Sequence, residues 1–478
     1  MRNAITSSLF GLIGATALLA GCPDRTISKV NPQQGRVETK DIPVTVNRDI
    51  DMLFLIDDSP SMADKQNNLA TNFPNFINVL STIPGGLPNV HLGVATSDLG
   101  TKGADGMAAT SIGGSAAGAC NSNGGKNGNL QLGTATGMVT GTFISDVANT
   151  SGGRTANYTG NLAQVFGAMA KVGASGCGFE QHLEAAKRAL NNNPANTGFL
   201  RPTAYLAVIF VQDEDDCSMA HTTLLGPESP ALGPLASFRC TRFGITCDVG
   251  GQTPDQMNSV GTKDQCHSNE ASQYLTKVAD YVTFFKALKT DPDSVIVAGI
   301  AGVTTPVQTA SLIPQGGTVA QPTLVHSCTY QASATDMEVA DPAIRLEFFL
   351  NQFPNRSTFT TLCQKDLSDG LQVIAQLLKT VIGDPCIEGV LADVDPVTPG
   401  DQYDCSVSDV TNPNKANQTE TIVPACNAAM TNFPCWHLVK DAANCAMTPT
   451  MLTLKIERNN VAPPPNTHEI ANCVTVAM

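Results

Sequence analysis

The stretch that decides the fold is residues 51–62, DMLFLIDDSPSM, in which a short apolar run ends in two carboxylates and two serines. A continuous apolar run of this length predicts a strand buried on both faces, as in a parallel sheet. The following residues repeat apolar side chains at helical spacing, which predicts a helix that Pro74 should kink or break. The helical positions are Leu69, Phe73, Phe76, Ile77 and Leu80.

The same alternation of strand and helix continues along the chain. Further buried strands are predicted at 90–98, 204–216 and 294–302, with helices between them and at 341–352 and 366–381. Strands that alternate with helices form βαβ units, so we predict an α/β fold with a doubly wound, mostly parallel sheet. Residues 99–160 are rich in Gly, Ser, Thr and Asn and predict a long loop or insertion.

Cysteines divide the chain into two parts. The chain has 15 cysteines and no Cys-x-x-Cys pair, which favours disulfides in an oxidising compartment over a zinc site. Apart from Cys22, eight lie before Asp384 and six after it, so each part can close its own bridges. We therefore predict a main domain at 48–383 with Cys-rich insertions and a small disulfide-rich module at 384–478. The spacing leaves the pairing open.

The amino terminus has the features of a secretory signal. Arg2 precedes an uncharged, mostly apolar run at 9–20, which is too short to span a bilayer but suits a signal peptide. The run ends in Leu19-Ala20-Gly21-Cys22, which resembles a bacterial lipobox, and this resemblance implies cleavage after residue 21 and lipidation of Cys22. Residues 22–47 are predicted to be a tether. We expect an exported lipoprotein, held at the outer membrane or cell surface.

Composition excludes one class of partner. The formal net charge is −14, with 28 basic and 42 acidic residues. A surface of this sign repels phosphate backbones, so binding to nucleic acid is not expected. It suits a protein that recruits cations.

The loop at 57–61 predicts a metal site. Asp57, Ser59 and Ser61 offer a carboxylate and two hydroxyls on one strand-to-helix turn, and hard cations prefer oxygen ligands. The pattern Asp-x-Ser-x-Ser after a buried strand resembles the metal-ion-dependent adhesion site of von Willebrand factor A domains. That resemblance implies Mg²⁺, or else Mn²⁺ or Ca²⁺, and a further Asp from a later strand end, for which Asp213 is the candidate. The alternative is that both serines only cap the following helix.

The middle ligand of that family does not match. The family places a Thr in a loop before a helix, whereas the corresponding loop here, at 173–183, reads GASGCGFEQHL. Ser175 or Glu180 could replace the Thr. Cys177 aligns closest to it, but a cysteine suits a disulfide better than a hard metal.

Three functional hypotheses follow from this sequence. The resemblance implies a non-enzymatic binding protein, in which the metal accepts a carboxylate from a protein ligand. A metal-assisted hydrolase of cell-wall or extracellular polymers is the alternative, and it requires a second cluster of acid or base groups near Asp57 and Asp213. A structural envelope protein with a degenerate metal site is the third.

Overall fold

The computed structural model describes most of the chain. The described residues are 36–476, except 44–46, 84–85, 150, 314–317, 334–335, 384, 396, 398–399, 414, 443–444, 446–447, 460, 462 and 465–466. Cys22 and the signal peptide lie outside the described residues, so both remain predictions. Among the described residues, no helix is long and apolar enough to cross a membrane.

The described helices and strands alternate through the first two thirds of the chain. The helices are α1 (Ala63–Ser81), α2 (Leu162–Met169), α3 (His182–Leu190), α4 (Phe238–Gly244), α5 (Pro254–Asn258), α6 (Val278–Ala287), α7 (Ile344–Leu350) and α8 (Ser368–Gly383). The first strands are β1 (Arg36–Pro43), β2 (Asp49–Ile56), β3 (Asn89–Thr96), β4 (Ser111–Ile112), β5 (Ser115–Ala116), β6 (Ile144–Ala148), β7 (Arg154–Ala156), β8 (Tyr205–Val211), β9 (Ile245–Val249) and β10 (Gly261–Ser268). The later strands are β11 (Val295–Ala301), β12 (Val307–Leu312), β13 (Gln321–Val325), β14 (Cys328–Ser333), β15 (Asp336–Ala340), β16 (Ser357–Thr361), β17 (Cys405–Thr411), β18 (Thr419–Val423), β19 (Cys435–Lys440), β20 (Leu452–Glu457) and β21 (Thr467–Thr475).

A seven-stranded, mostly parallel sheet organises the main domain. Its strand order is β16-β11-β8-β2-β3-β6-β7. The first five strands are mutually parallel, whereas β6 and β7 extend the edge in antiparallel fashion. The chain thus has the expected mixed α/β fold. Because β2 and β8 are neighbours in register, their carboxyl ends lie side by side.

Helices cover both faces of this sheet. Met52, Phe54 and Ile56 of β2 point into a core that contains side chains of α1, α2 and α8. The intervening residues Leu53 and Leu55 point into a second core with α3, α6 and α7. The burial on both sides is what the apolar run predicted. Helix α1 runs through Pro74 without a break, with that proline exposed.

The region at 99–160 is more ordered than predicted. It contributes β4, β5, β6 and β7, two of which enlarge the central sheet. Short strands in a segment rich in glycine and asparagine contain few apolar residues, so they lack the apolar–polar alternation by which strands are predicted. The second insertion, between β8 and β11, carries α4, α5, β9 and β10.

Seven disulfides join cysteines within the two predicted parts and never across them. Residues 48–383 hold four bridges and residues 384–478 hold three, which agrees with the even counts. The pairs are Cys120–Cys177, Cys217–Cys240, Cys247–Cys266, Cys328–Cys363, Cys386–Cys445, Cys405–Cys473 and Cys426–Cys435.

The amino-terminal strand belongs to the carboxy-terminal sheet. Strand β1 pairs antiparallel with β21 in the sheet β1-β21-β17-β18. The Glu38 carboxylate accepts hydrogen bonds from the backbone N–H groups of Glu388 and Gly389, at 2.9 and 2.7 Å. Part of the predicted tether, 36–43, is therefore a paired strand. The polar sequence of β1 did not predict a strand, because only one face of β1 contacts a core, through residues such as Ile42.

Truncation of that buried side chain should destabilise the carboxy-terminal sheet. Ile42→Ala is expected to lower the free energy of unfolding by about 2–4 kcal/mol, because it leaves a cavity in a closed core. The exposed neighbour Val37 provides the control, since Val37→Ala should change it by less than about 0.5 kcal/mol. Urea unfolding can be followed by fluorescence of Trp436, the one tryptophan, which packs against the same core. Equal midpoints for both variants would contradict this role of β1.

Candidate metal centre

The Asp57 turn lies at the carboxyl end of β2. The backbone N–H of Asp57 donates to the carbonyl of Val211 at 2.9 Å, which ties the turn to the end of β8. Asp57 Oδ1 accepts the N–H of Ser59 at 2.8 Å, and the Ser59 and Ser61 hydroxyl oxygens are 3.0 Å apart. Ser59 makes no side-chain cap on the short 3-10 helix that precedes α1. The N-cap of α1 is Met62, so the expected capping of this helix by the serines is not observed.

Three carboxylates converge beside this turn. One oxygen each from Asp57, Asp213 and Glu214 lies within 4.8 Å of the other two. The Asp213 side chain is only 3% exposed, and its Oδ1 atom has no hydrogen-bond partner. Buried carboxylate oxygens without partners are costly unless a cation satisfies them. The donor set fits a small hard cation, which takes carboxylate and hydroxyl oxygens.

Two basic side chains, those of Lys65 and His182, face these carboxylates. Lys65, from the first turn of α1, places Nζ 2.9 Å from Asp213 Oδ2. His182 Nε2 lies 3.4 Å from Asp57 Oδ2, and this carboxylate raises the pKa of the imidazole against the opposing effect of burial. Neither His182 nor Lys65 belongs to the Asp-x-Ser-x-Ser pattern, so that pattern gave no signal for their place beside the carboxylates.

The loop at 173–183 brings Glu180, and not Ser175, into the centre. Glu180 is buried and hydrogen-bonds to Glu214; burial, reinforced by neighbouring carboxylates, raises the pKa of both groups well above the ordinary value. Ser175 is exposed. Cys177 is bonded to Cys120, as its chemistry predicted, and so fixes this loop to the insertion after β3.

Asp58 packs against the same loop. Burial raises its pKa to about 6, and Lys126 opposes this shift by placing Nζ 2.6 Å from Asp58 Oδ2. The backbone N–H of Gly176 donates to the Asp58 carbonyl at 2.8 Å. A methyl group on Gly176 would lie 2.4 Å from Asp58 Oδ1, so only glycine fits there.

The rest of the acidic run at 213–216 is structural. Asp215 accepts the backbone N–H groups at the start of α7. Asp216 bonds the backbone N–H of Leu183 at 2.9 Å and the buried guanidinium of Arg345 at 3.1 Å. These two residues anchor α3 and α7 near the centre, and they are not a solvated loop.

A cavity of about 250 Å³ adjoins the carboxylates. Glu180 and Glu214 line it on the side of the metal centre, and Phe238 of α4 and Leu324 of β13 line it elsewhere. Its wall also includes His326, which is paired with Asp341 at 2.7 Å. The centre thus borders a space large enough for part of a ligand.

Comparison with known proteins gives remote structural neighbours. No protein-family model and no curated protein matches the chain. Solved structures that resemble it include the pilus adhesin SpaC from Lactobacillus rhamnosus GG, with 10% identity, a TM-score of 0.29 and coverage of 90% of this chain and 39% of SpaC. A von Willebrand factor type A protein from Catenulispora acidiphila has 10% identity, a TM-score of 0.25 and coverage of 94% and 67%.

A second pilus adhesin, RrgA from Streptococcus pneumoniae, has 9% identity, a TM-score of 0.22 and coverage of 94% of this chain and 60% of RrgA. The chain spans well under half the length of SpaC. TM-scores this low do not define the function of the chain, which has to be argued from its own residues.

The close contact at Gly176 gives a test of the loop geometry. Gly176→Ala should destabilise the domain by about 1–3 kcal/mol, because the added methyl group collides with Asp58. Gly178 in the same loop is the control, since a methyl group there meets only Glu180 Oε1 at 3.8 Å. Thermal unfolding would measure both. A Gly176→Ala variant as stable as Gly178→Ala would show that the loop packs elsewhere.

Proposed function

We propose that the chain is an exported lipoprotein, anchored through Cys22, whose doubly wound, von Willebrand A-like domain binds a protein ligand through a divalent cation. The observation that supports this most is the convergence of Asp57, Asp213 and Glu214 within 4.8 Å at the ends of adjacent parallel strands. Ligands of such sheets bind outside the carboxyl ends of the strands. The role is that of a surface binding protein and not of an enzyme.

Each ligand residue has a position that suits this role. Asp57 and Asp213 would hold the cation from below, as buried carboxylates, together with the buried Ser59 hydroxyl. Ser61 is exposed, so its hydroxyl faces the side from which a partner approaches. Bound Mg²⁺, Mn²⁺ or Ca²⁺ would supply a coordination position for a carboxylate of the partner. Glu180 would influence the cation indirectly, through its hydrogen bond to Glu214.

The anchor and the paired strand would set the distance from the membrane. Cys22 precedes Arg36, the first residue of β1, by fourteen positions. A fully extended chain of that length reaches at most about 50 Å. The carboxy-terminal sheet would therefore stay near the lipid surface, with the main domain attached to it.

Loss of one ligand carboxylate should weaken metal binding. Asp213→Asn keeps the size of the side chain but removes its charge, so we expect Mn²⁺ affinity to fall at least about tenfold. Asp64→Asn is the control, because Asp64 is an exposed carboxylate in the first turn of α1. Isothermal titration of Mn²⁺ into each protein would measure this. The same affinity for Asp213→Asn and the native chain would refute the site.

A metal-assisted hydrolase is the second candidate. It gains support from the Glu180–Glu214 pair, two hydrogen-bonded carboxyl groups whose pKa values burial raises. The pair lines the cavity beside Asp57 and Asp213, where a general acid or base would act. The pair shares Glu214 with the three converging carboxylates, so Glu180 is the acid or base group that it adds near Asp57 and Asp213.

A single substitution separates the two candidates. In a hydrolase, Glu214→Gln should lower turnover at least about a hundredfold with Mn²⁺ present, because it removes a proton-transfer group. The substrates are isolated cell-wall and extracellular polymers, and the measurement is release of soluble fragments. Absence of release by the native protein would exclude the hydrolase while leaving metal-dependent ligand binding intact.

A further inference from the structure

The Lys65 ammonium lies among the groups that would hold the cation. Its Nζ is 2.9 Å from Asp213 Oδ2 and 3.0 Å from the Ser61 carbonyl. The side chain is 5% exposed, so the charge is almost fully removed from water. Two of the proposed ligand residues thus share their polar atoms with a lysine from the first turn of α1.

A buried ammonium in this position has a clear electrostatic role. Asp57 and Asp213 are both almost fully buried, and they would repel each other without a cation. The other basic side chains lie beside other carboxylates: His182 beside Asp57 and Lys126 beside Asp58. Lys65 is therefore the counter-charge of Asp213, and their ion pair joins the first turn of α1 to the end of β8.

We propose that Lys65 is an internal counter-cation that competes with the divalent ion for Asp213. The ion would have to displace Nζ from Asp213 Oδ2, because both require the same carboxylate. Asp213 Oδ1 is buried and without a partner, so the ion would first reach this oxygen and then displace Nζ from Oδ2. This inference rests on the proposed metal site and adds a regulating residue to it.

The competition has a consequence for ligand binding. The metal-free domain stays folded because Lys65 replaces one charge of the ion, and the ion binds weakly because it must break an ion pair. Dissociation constants on the order of 10⁻⁴–10⁻³ M are typical of weak extracellular cation sites. Ligand binding would then respond to the divalent-ion concentration outside the cell.

Removal of the lysine charge tests the competition directly. Lys65→Met keeps an unbranched apolar stem without the ammonium, and Lys171→Met makes the same change at an exposed lysine. Bound Mn²⁺ is counted from the loss of the free-ion signal in electron paramagnetic resonance. We expect Lys65→Met to bind Mn²⁺ at least tenfold more tightly than the native chain, and Lys171→Met to stay within twofold.

A second readout uses stability without metal. The melting temperature of metal-free Lys65→Met should be lower than that of the native chain, and saturating Mn²⁺ should restore it. If Lys65→Met does not fold without metal, Lys65→Gln retains a hydrogen-bond donor without the charge and should show the same tightening.

The outcomes separate this inference from the proposed function. Equal Mn²⁺ affinity of the native chain and both Lys65 variants would overturn the role of Lys65 and leave the metal site in place. Binding by the variants alone would support Lys65 as a counter-cation and overturn metal binding by the native chain. Binding by none of the proteins would overturn both.

Discussion

The burial of two carboxylates at the ends of adjacent parallel strands is the constraint on which the centre depends. The register of β2 against β8 places Asp57 and Asp213 on the same edge, and the hydrogen bond from Asp57 N–H to Val211 fixes the turn. Negative charges at this depth need compensation. Lys65, His182 and the adjoining hydroxyls provide part of it, and a divalent cation would provide the rest.

Much of the fold could be predicted because it follows from local pattern. The apolar runs ending at Asp57 and Asp213 identified two neighbouring strands of the parallel sheet, since strands buried on both faces lack polar residues. The even cysteine counts on each side of Asp384 allowed bridges to close within each part, and they do. The pairing itself could not be read, because loops of unknown path bring each pair together.

The residues of the centre that the sequence did not predict are brought there by tertiary contacts. Lys65 follows the serine loop by one helical turn, where a lysine ordinarily points to solvent, so nothing local marks it as buried. Glu214 looks like one of four acidic residues in a row, and only the structure separates its contact with Glu180 from the anchoring bonds of Asp216. The pairing of β1 with β21 spans almost the whole chain and leaves no local period.

The proposed function depends on a divalent ion that binds between the Asp57 turn and Asp213. The direct measurement is a crystal structure grown with Mn²⁺, with diffraction data collected at the manganese absorption edge. We expect one anomalous peak at about 2.1 Å from oxygens of Asp57 or Asp213 and of Ser59 or Ser61. A structure with no anomalous peak there, and Lys65 still bound to Asp213 at saturating Mn²⁺, would contradict it.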